Sequence, residues 1–278
     1  MSSPQLSAEH RIVCSTLGWS RRSLEDALAG SAALAFAGID LGAHEGWAHV
    51  SPASLADGGP AEVRRQADEV QRLLDRYGLS CPSLNVGLRA PDPDEERRRL
   101  EAISDLARRL GVTVLCLGAG RRGAPIEQEV SRWQALLPVA AERGLQLTLE
   151  THTNQVTEIP AVAVELCQAV PGLGLTLDPS HYYAGPNQGA GFSAVYPFVR
   201  HVHLRDAGAD WDHIQLPPGS GSVDFAAIAR ALAQHSYAGH FAVEYIDSIP
   251  IRAGAGQPAD VPTNAARMRD LFLAVSAG

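Results

Sequence analysis

Apolar and polar positions along the sequence follow two alternating periods. Short runs with hydrophobic residues at every second position are separated by longer stretches in which hydrophobic residues recur every three to four positions. The first period is typical of half-buried strands and the second of amphipathic helices. Eight strands are predicted, at residues 11–17, 38–43, 79–86, 112–117, 145–150, 173–178, 199–205 and 240–246.

A helical stretch follows each predicted strand. These stretches cover residues 23–35, 61–77, 94–110, 126–143, 159–170, 193–198, 225–235 and 263–275. A strand–helix unit repeated eight times predicts an α/β fold of the (β/α)₈ TIM-barrel type. The rival, a doubly wound open sheet, needs fewer strands and usually a G-x-G-x-x-G turn, and the first strand here runs into Gly18-Trp19-Ser20-Arg21 instead. We expect one domain over residues 1–278, with 57–60 and 253–258 as loops.

The phase of the strands separates an apolar face from a polar one. In the fifth strand, leucines at 145, 147 and 149 alternate with polar residues at 146, 148 and 150, and five other strands show the same division. In a barrel, one parity packs against the helices and the other points inward. The inward polar residues concentrate at the carboxyl ends of the strands, where barrel active sites form. Buried acids need partners, and a divalent cation would satisfy several together.

Four inward residues end four consecutive strands: Glu150, Asp178, His203 and Glu244. Carboxylates with one imidazole suit Mn²⁺, Mg²⁺, Co²⁺ or Zn²⁺, and the lack of a thiolate disfavours a structural zinc site. Any one of these residues taken alone is more simply explained as a hydrogen-bonded residue of the core or the barrel mouth. Their register on adjacent strands favours a metal site.

The segments around these residues carry a family resemblance. LTLETH, LTLDPSH, HVHLRD and FAVEYI occur in this order, and GSGSVDF at residues 219–225 precedes the seventh helix. Together they resemble the sugar isomerase/epimerase superfamily of xylose isomerase-like TIM barrels. The resemblance implies one divalent ion, with Mn²⁺ as first choice, bound by Glu150, Asp178, His203 and Glu244. It also implies substrate contacts from His181 and Arg205, whereas Ala209 replaces an arginine that ketose epimerases use.

The chemistry implied by this resemblance is proton transfer next to a carbonyl group. Glu150 and Glu244 are expected to act as the acid–base pair on a small sugar or related polyhydroxy carbonyl compound, through a metal-stabilised cis-enediolate. Return of the proton to the same carbon gives epimerisation, and return to the next carbon gives isomerisation. Loss of a β-hydroxide would instead make the protein a dehydratase or lyase of the inosose or dehydroshikimate type. The sequence leaves these outcomes open.

Further substrate contacts are expected from loops at the carboxyl ends of the strands. Trp19, Trp47 and Trp211 follow the first, second and seventh strands and are candidates for a sugar-stacking wall, although such tryptophans also pack for structural reasons. His44 has inward parity. His152, two residues after Glu150, is expected to face the substrate or support a ligand.

Charge and cysteine content narrow the alternatives. The 23 basic and 31 acidic residues give a net charge of −8, which argues against a nucleic-acid partner. An apurinic endonuclease, which is built on a similar barrel, is one alternative. It would need three zinc ions, and it would need histidines where Asn85 and Leu117 stand. A non-catalytic barrel remains a further alternative.

The four cysteines form no C-x-x-C pair, and three of them lie in apolar strand-like runs, where they are expected to pack as small hydrophobic residues.

Targeting signals are not evident in the sequence. Residues 1–11 contain no signal-peptide core, and no apolar run is long enough to span a membrane. A cytoplasmic protein is therefore expected, with a homo-oligomer left open.

Overall fold

Eight parallel strands close into a barrel in the computed structural model, which describes residues 9–276. Residues 1–8, part of the segment in which no signal peptide is expected, and residues 277–278 lie outside the described residues. The eight barrel strands are β1 (Ile12–Ser15), β2 (Gly38–His44), β4 (Ser80–Gly87), β5 (Val114–Leu117), β6 (Gln146–Glu150), β7 (Gly174–Leu177), β8 (Val199–Leu204) and β9 (Phe241–Val243), and the short β3 (Ala48–His49) is an additional strand. All except β3 pair in chain order, and β1 closes the barrel by pairing with both β2 and β9.

Helices surround the barrel: α1 (Leu24–Ala33), α2 (Pro52–Tyr77), α3 (Pro93–Arg109), α4 (Ile126–Ala141), α5 (Pro160–Ala169), α6 (Pro179–Ala184), α7 (Phe225–Gln234) and α8 (Val261–Ser276). Ser23 starts α1 with a reciprocal capping box that includes Asp26, and the carboxylate of Asp92 caps α3. Within residues 9–276, none of the helices combines the length and apolar composition that a membrane crossing requires. The predicted (β/α)₈ TIM barrel is confirmed.

The hydrophobic core lies between the strands and the helices, as the predicted phase requires. Leu147, Leu149, Leu175 and Leu177 are fully buried in this layer. The barrel interior is more polar. There, the hydroxyl groups of Thr148 and Thr176 lie 2.7 Å apart in a hydrogen bond between β6 and β7. Polar residues in this interior therefore find partners on neighbouring strands.

The second strand–helix unit differs most from the sequence prediction. Strand β3 folds back antiparallel on β2, with Ala43 opposite His49. The predicted loop at 57–60 is wrong, because α2 begins at Pro52 and continues through it with a kink. Gly59 adopts φ 63° and ψ −158° there, which a glycine tolerates, and Pro60 can restart the helix because the first turn requires no N–H partner.

Two short elements after β7 also depart from the prediction. Helix α6 follows directly from the end of β7, where no separate helical period is visible in the sequence. The segment predicted as the sixth helix is the short 3₁₀ helix Ser193–Phe198. The consequence for the site is that Asp178 directly follows β7 and caps α6, and this fixes the direction of its carboxylate.

Candidate metal centre and active site

The carboxyl ends of β6, β7, β8 and β9 bring the four predicted metal ligands together. Glu150 is the last residue of β6, Asp178 and Glu244 follow β7 and β9, and His203 lies in β8. Each contributes one ligand atom to a group in which all the atoms lie within 4.8 Å of one another, and all four residues are buried. Three carboxylates and one imidazole without a thiolate form a donor set that fits a divalent cation.

His203 is oriented by the carboxylates around it. Its Nδ1 atom lies 2.8 Å from Glu150 Oε1 and 3.4 Å from Glu244 Oε1. Its Nε2 atom points the other way, into the barrel, toward Asp40. Nδ1 is therefore the nitrogen that could bind an ion together with the two glutamates.

Asp178 is held by hydrogen bonds to both of its oxygens. Ser180 donates from its backbone N–H and its hydroxyl to Oδ1, at 2.9 and 2.6 Å. Arg205 donates from Nη2 to Oδ2 at 2.7 Å, and its Nη1 atom lies 3.6 Å from Glu244 Oε2. Because Arg205 is 1% exposed, its guanidinium charge offsets the buried carboxylates rather than extending freely into the cavity.

The protonation equilibria of the cluster reflect its excess of negative charge. Burial raises the pKa of Glu244, and the negative charge of Glu150 adds to the rise. Burial would lower the pKa of His203, but the charges of Glu244 and Glu150 outweigh it and raise this pKa to about 10. Burial likewise opposes ionisation of Glu150, yet the hydrogen bond and charge of His203 leave its pKa lowered. The cluster therefore favours positive charge at its centre.

A cavity of about 320 Å³ opens above the cluster. Glu150 and Glu244 contribute to its floor. Six of the seven predicted substrate-contact residues line it: His44, Trp47, His152, His181, Arg205 and Trp211. A volume of this size suits a small ligand of a few carbon atoms.

One wall of the cavity is a stack of three rings. The His152 and His181 ring centroids are 3.8 Å apart, and Trp211 stacks on His181 at 6.1 Å with an interplanar angle of 28°. Arg205 donates to His181 Nε2 at 3.0 Å, so His181 Nδ1 carries the proton and donates to Thr153 Oγ1 at 3.1 Å. Burial and nearby positive charges hold the pKa of His181 well below its usual value, so the ring is neutral.

The opposite wall contains His44 and Trp47. His44 Nε2 lies 3.1 Å from Asn85 Oδ1, and Asn85 Nδ2 donates to Glu244 Oε1 at 2.8 Å. Trp47 packs edge-on against His44, with ring centroids 4.9 Å apart, and its indole N–H donates to Ser20 Oγ. Burial lowers the pKa of His44 to about 4, so this ring is also neutral. The wall thus connects to Glu244 through Asn85.

Trp19 does not line the cavity, which corrects the expectation that it forms part of a substrate wall. Its side chain is 4% exposed and belongs to the hydrophobic core. The indole packs onto Gly30 of α1, where a Cβ atom would lie 2.6 Å from the ring. The short 3₁₀ turn Thr16–Trp19 directs the side chain away from the barrel mouth, and the missing side chain at Gly30 provides the space.

Three further residues with polar side chains line the cavity and were not predicted as site residues: Asn85, Arg89 and Gln155. Asn85 has the same inward parity on β4 as the ligands on other strands, which is a signal available in the sequence. Gln155 is a loop residue that accepts a hydrogen bond from the Ala119 backbone N–H. Arg89 lies in a loop and adopts φ 43°. No strand period marks these two loop positions.

The GSGSVDF segment wraps around the carboxylate of Asp206. The backbone N–H groups of Gly219 and Gly221 donate to Asp206 Oδ2 at 2.8 and 2.9 Å, and that of Ala207 donates to Oδ1. A Cβ atom on Gly221 would collide with Asp206 Oδ1. The segment therefore shapes the loop between β8 and α7 through backbone contacts, next to the residues that form the cluster.

A match to a protein-family model shows which family the chain belongs to. The model described as xylose isomerase-like TIM barrel matches residues 28–271. The protein belongs to this family. The resemblance seen in the sequence motifs is thereby confirmed. No curated protein matches the sequence.

Solved structures of the same fold cover nearly the whole chain. A xylose isomerase-like TIM barrel protein from Mycobacterium smegmatis in complex with magnesium has a TM-score of 0.77 and 19% identity, covering 98% of this chain and 99% of its own. A D-tagatose 3-epimerase-like protein has a TM-score of 0.71 and 18% identity, with 96% and 98% coverage. The probable 3-DHS dehydratase AsbF from Bacillus anthracis has 0.67 and 18%, with 96% and 99% coverage.

Proposed function

We propose that this protein is a divalent-metal-dependent isomerase or epimerase of a small sugar or related polyhydroxy carbonyl compound. The observation that carries the proposal is the convergence of four ligand atoms within 4.8 Å at the floor of a cavity lined by histidines and tryptophans. The proposal includes one domain over residues 1–278 and a cytoplasmic location. Family membership supports it, because known proteins of this fold include epimerases.

In this proposal Glu150, Asp178, His203 and Glu244 hold one ion, with Mn²⁺ as first choice and Mg²⁺, Co²⁺ or Zn²⁺ as alternatives. The two glutamates and His203 Nδ1 already face a common point, and Arg205 fixes Asp178 beside them. When bound, the ion supplies positive charge that stabilises an oxyanion on the substrate and acidifies the neighbouring C–H group.

Glu150 and Glu244 carry the proton transfer. They stand on β6 and directly after β9, so a substrate on the cavity floor lies between them. One glutamate removes the proton next to the carbonyl, giving an enediolate, and one glutamate returns a proton to the same or the adjacent carbon. Neutral His44 hydrogen-bonds a substrate hydroxyl group, and the rings of His181, His152, Trp47 and Trp211 contact the sugar faces.

A dehydratase or lyase is the second candidate. It would use the same first proton abstraction, followed by loss of the β-hydroxide from the enediolate. The observation in its favour is the likeness of fold to a probable 3-DHS dehydratase, which covers 96% of this chain. The two candidates differ in their products, because only the dehydratase releases water from the carbon skeleton.

Product analysis in D₂O tests both candidates. The Mn²⁺-loaded protein is incubated with a panel of ketoses, aldoses, inososes and dehydroshikimate, and products are analysed by mass spectrometry and ¹H NMR. The proposal predicts a product of unchanged composition with solvent deuterium at the carbon next to the carbonyl. A product lighter by one water selects the dehydratase. A product that contains no solvent deuterium would indicate a hydride shift and contradict proton transfer by the glutamates.

A further inference from the structure

A second polar group lies deeper in the barrel, beneath the four candidate ligands. Asp40 of β2 and His201 and His203 of β8 are all fully buried there. Asp40 Oδ2 lies 3.7 Å from His203 Nε2, and Asp40 Oδ1 lies 3.7 Å from His201 Nε2. Asp40 Oδ1 also accepts a hydrogen bond of 2.5 Å from the Ser83 hydroxyl. The group thus joins β2, β4 and β8 directly under the site.

Within residues 9–276, Asp40 Oδ2 and His203 Nε2 are both buried without a hydrogen-bond partner. A buried polar atom without a partner is destabilising because it has lost its hydrogen bonds to water, so such atoms nearly always find a partner. Here the two atoms face one another, one a carboxylate acceptor and the other a ring nitrogen that can donate. Shortening their separation by about 0.8 Å produces an N–H···O hydrogen bond of ordinary length.

We propose that Asp40 is a positioning residue for the metal centre. It accepts the Nε2–H proton of His203 and so leaves the Nδ1 lone pair aimed at the space shared with Glu150 and Glu244. A neutral imidazole carries one ring proton, and the nitrogen that holds it cannot bind an ion. Ser83 fixes the carboxylate of Asp40 from the other side. This inference rests on the proposed metal function of the four ligands.

The same residues do not favour a second cation between Asp40, His201 and His203. His203 would have to bind two ions through its two nitrogens and lose both ring protons. Asp40 Oδ1 is moreover occupied by the Ser83 proton. In the proposed arrangement, Asp40 Oδ1 accepts the Ser83 proton and Asp40 Oδ2 accepts the proton of His203 Nε2. His203 Nδ1 then remains available to the ion above.

Metal affinity of an Asp40→Asn variant tests the proposal. If the introduced amide keeps its carbonyl oxygen on the Ser83 hydroxyl, its NH₂ group faces His203 Nε2 and favours the ring tautomer with the proton on Nδ1. Isothermal titration with Mn²⁺ is expected to give a Kd about 10- to 100-fold weaker than that of the unmodified protein. Thr148→Val is the matched control, since it removes one interior hydroxyl group away from His203, and its Kd is expected to stay within about twofold.

A second measurement requires no substitution at Asp40. In the ¹⁵N-histidine-labelled protein saturated with Mg²⁺, the proposal predicts a slowly exchanging proton on His203 Nε2, shifted downfield by a carboxylate acceptor. If Asp40 served only the stability of the fold, this slowly exchanging, downfield-shifted proton on His203 Nε2 would not be expected. Ser83→Ala, which keeps the carboxylate but removes its anchor, is expected to speed the exchange of this proton and weaken Mn²⁺ binding several-fold.

The outcomes separate this inference from the proposed function. Failure of the unmodified protein to bind Mn²⁺ would overturn the metal function and this inference with it. Normal Mn²⁺ binding by both the unmodified protein and Asp40→Asn would overturn the role of Asp40 alone. Two Mn²⁺ ions per chain, or a His203 Nε2 without a proton in the Mg²⁺-loaded protein, would also contradict it.

Discussion

At the scale of single residues, the basic side chains determine how three carboxylates are accommodated in one buried cluster. Arg205 pairs with Asp178, while His203 lies between Glu150 and Glu244. Strand parity predicts that all of these side chains point inward, because the period of two leaves little freedom. Parity does not predict which partner each one takes. Arg205 shows this, since a residue expected at the substrate is hydrogen-bonded to Asp178, Ser180 and His181.

Metal content is expected to separate ligands from substrate contacts. His203→Ala removes the imidazole that faces both glutamates, so the variant is expected to lose the bound ion. His181→Ala is the matched control, because it removes a buried imidazole that lies 3.6 Å from Asp178 Oδ2 but whose two ring nitrogens are hydrogen-bonded to Arg205 and Thr153. It is expected to retain about one ion per chain and to raise KM. Elemental analysis of the purified variants measures this, and loss of the ion in His181→Ala would make His181 a ligand.

Proton transfer by the glutamates predicts a large effect of removing either carboxylate. Glu150→Gln and Glu244→Gln keep the size and one oxygen donor but cannot accept the substrate proton. Each change is expected to lower kcat by about 10²-fold or more. Steady-state kinetics at saturating Mn²⁺ measures the loss, and metal content is determined in parallel. Turnover close to normal in both variants would show that the two carboxylates are structural.

At the scale of elements, the pattern of the sequence predicts all eight barrel strands, six of which show an apolar face toward the helices and a polar face toward the interior. The elements that this pattern does not predict form for other reasons. Strand β3 has only two residues, too few to show a period, and α6 is fixed by the cap that Asp178 provides. Helix α2 passes through Gly59 and Pro60, two residues that normally interrupt a helix, because the kink accommodates both. Trp19 likewise turns outward because its neighbour on α1 is a glycine.

The loop between β8 and α7 gives a stability prediction for one element. Gly221→Ala places a Cβ atom against Asp206 Oδ1 and 2.6 Å from the backbone oxygen of Ala207, so the loop must shift. The variant is expected to lose about 1–3 kcal/mol of unfolding free energy. Ser222→Ala, at the exposed neighbouring position, is expected to stay within about 0.5 kcal/mol. Urea unfolding measures both, and equal stability of the two variants would contradict the close packing around Asp206.

At the scale of the whole molecule, the packed interior encloses all four cysteines. Cys14, Cys81, Cys116 and Cys167 are free and buried. Burial raises the pKa of the Cys14 and Cys167 thiols to about 12, so neither forms a thiolate at neutral pH. This agrees with the interpretation of three of them as small hydrophobic residues in strand-like runs.

Thiol labelling checks the burial of these cysteines in solution. The native protein is expected to show none of its four thiols reacting with a disulfide reagent over minutes at pH 8. In guanidinium chloride all four are expected to react. A thiol that reacts rapidly under native conditions would place that cysteine at a surface or in a segment that opens locally.

We propose that Glu150, Asp178, His203 and Glu244 hold one divalent ion at the mouth of the barrel. Anomalous diffraction from crystals grown with Mn²⁺ tests it most directly, because it locates the ion without reference to activity. One anomalous peak per chain is expected, within about 2.0–2.4 Å of an oxygen atom of each carboxylate and of His203 Nδ1. A peak between Asp40, His201 and His203, or no peak inside the barrel at saturating Mn²⁺, would contradict it.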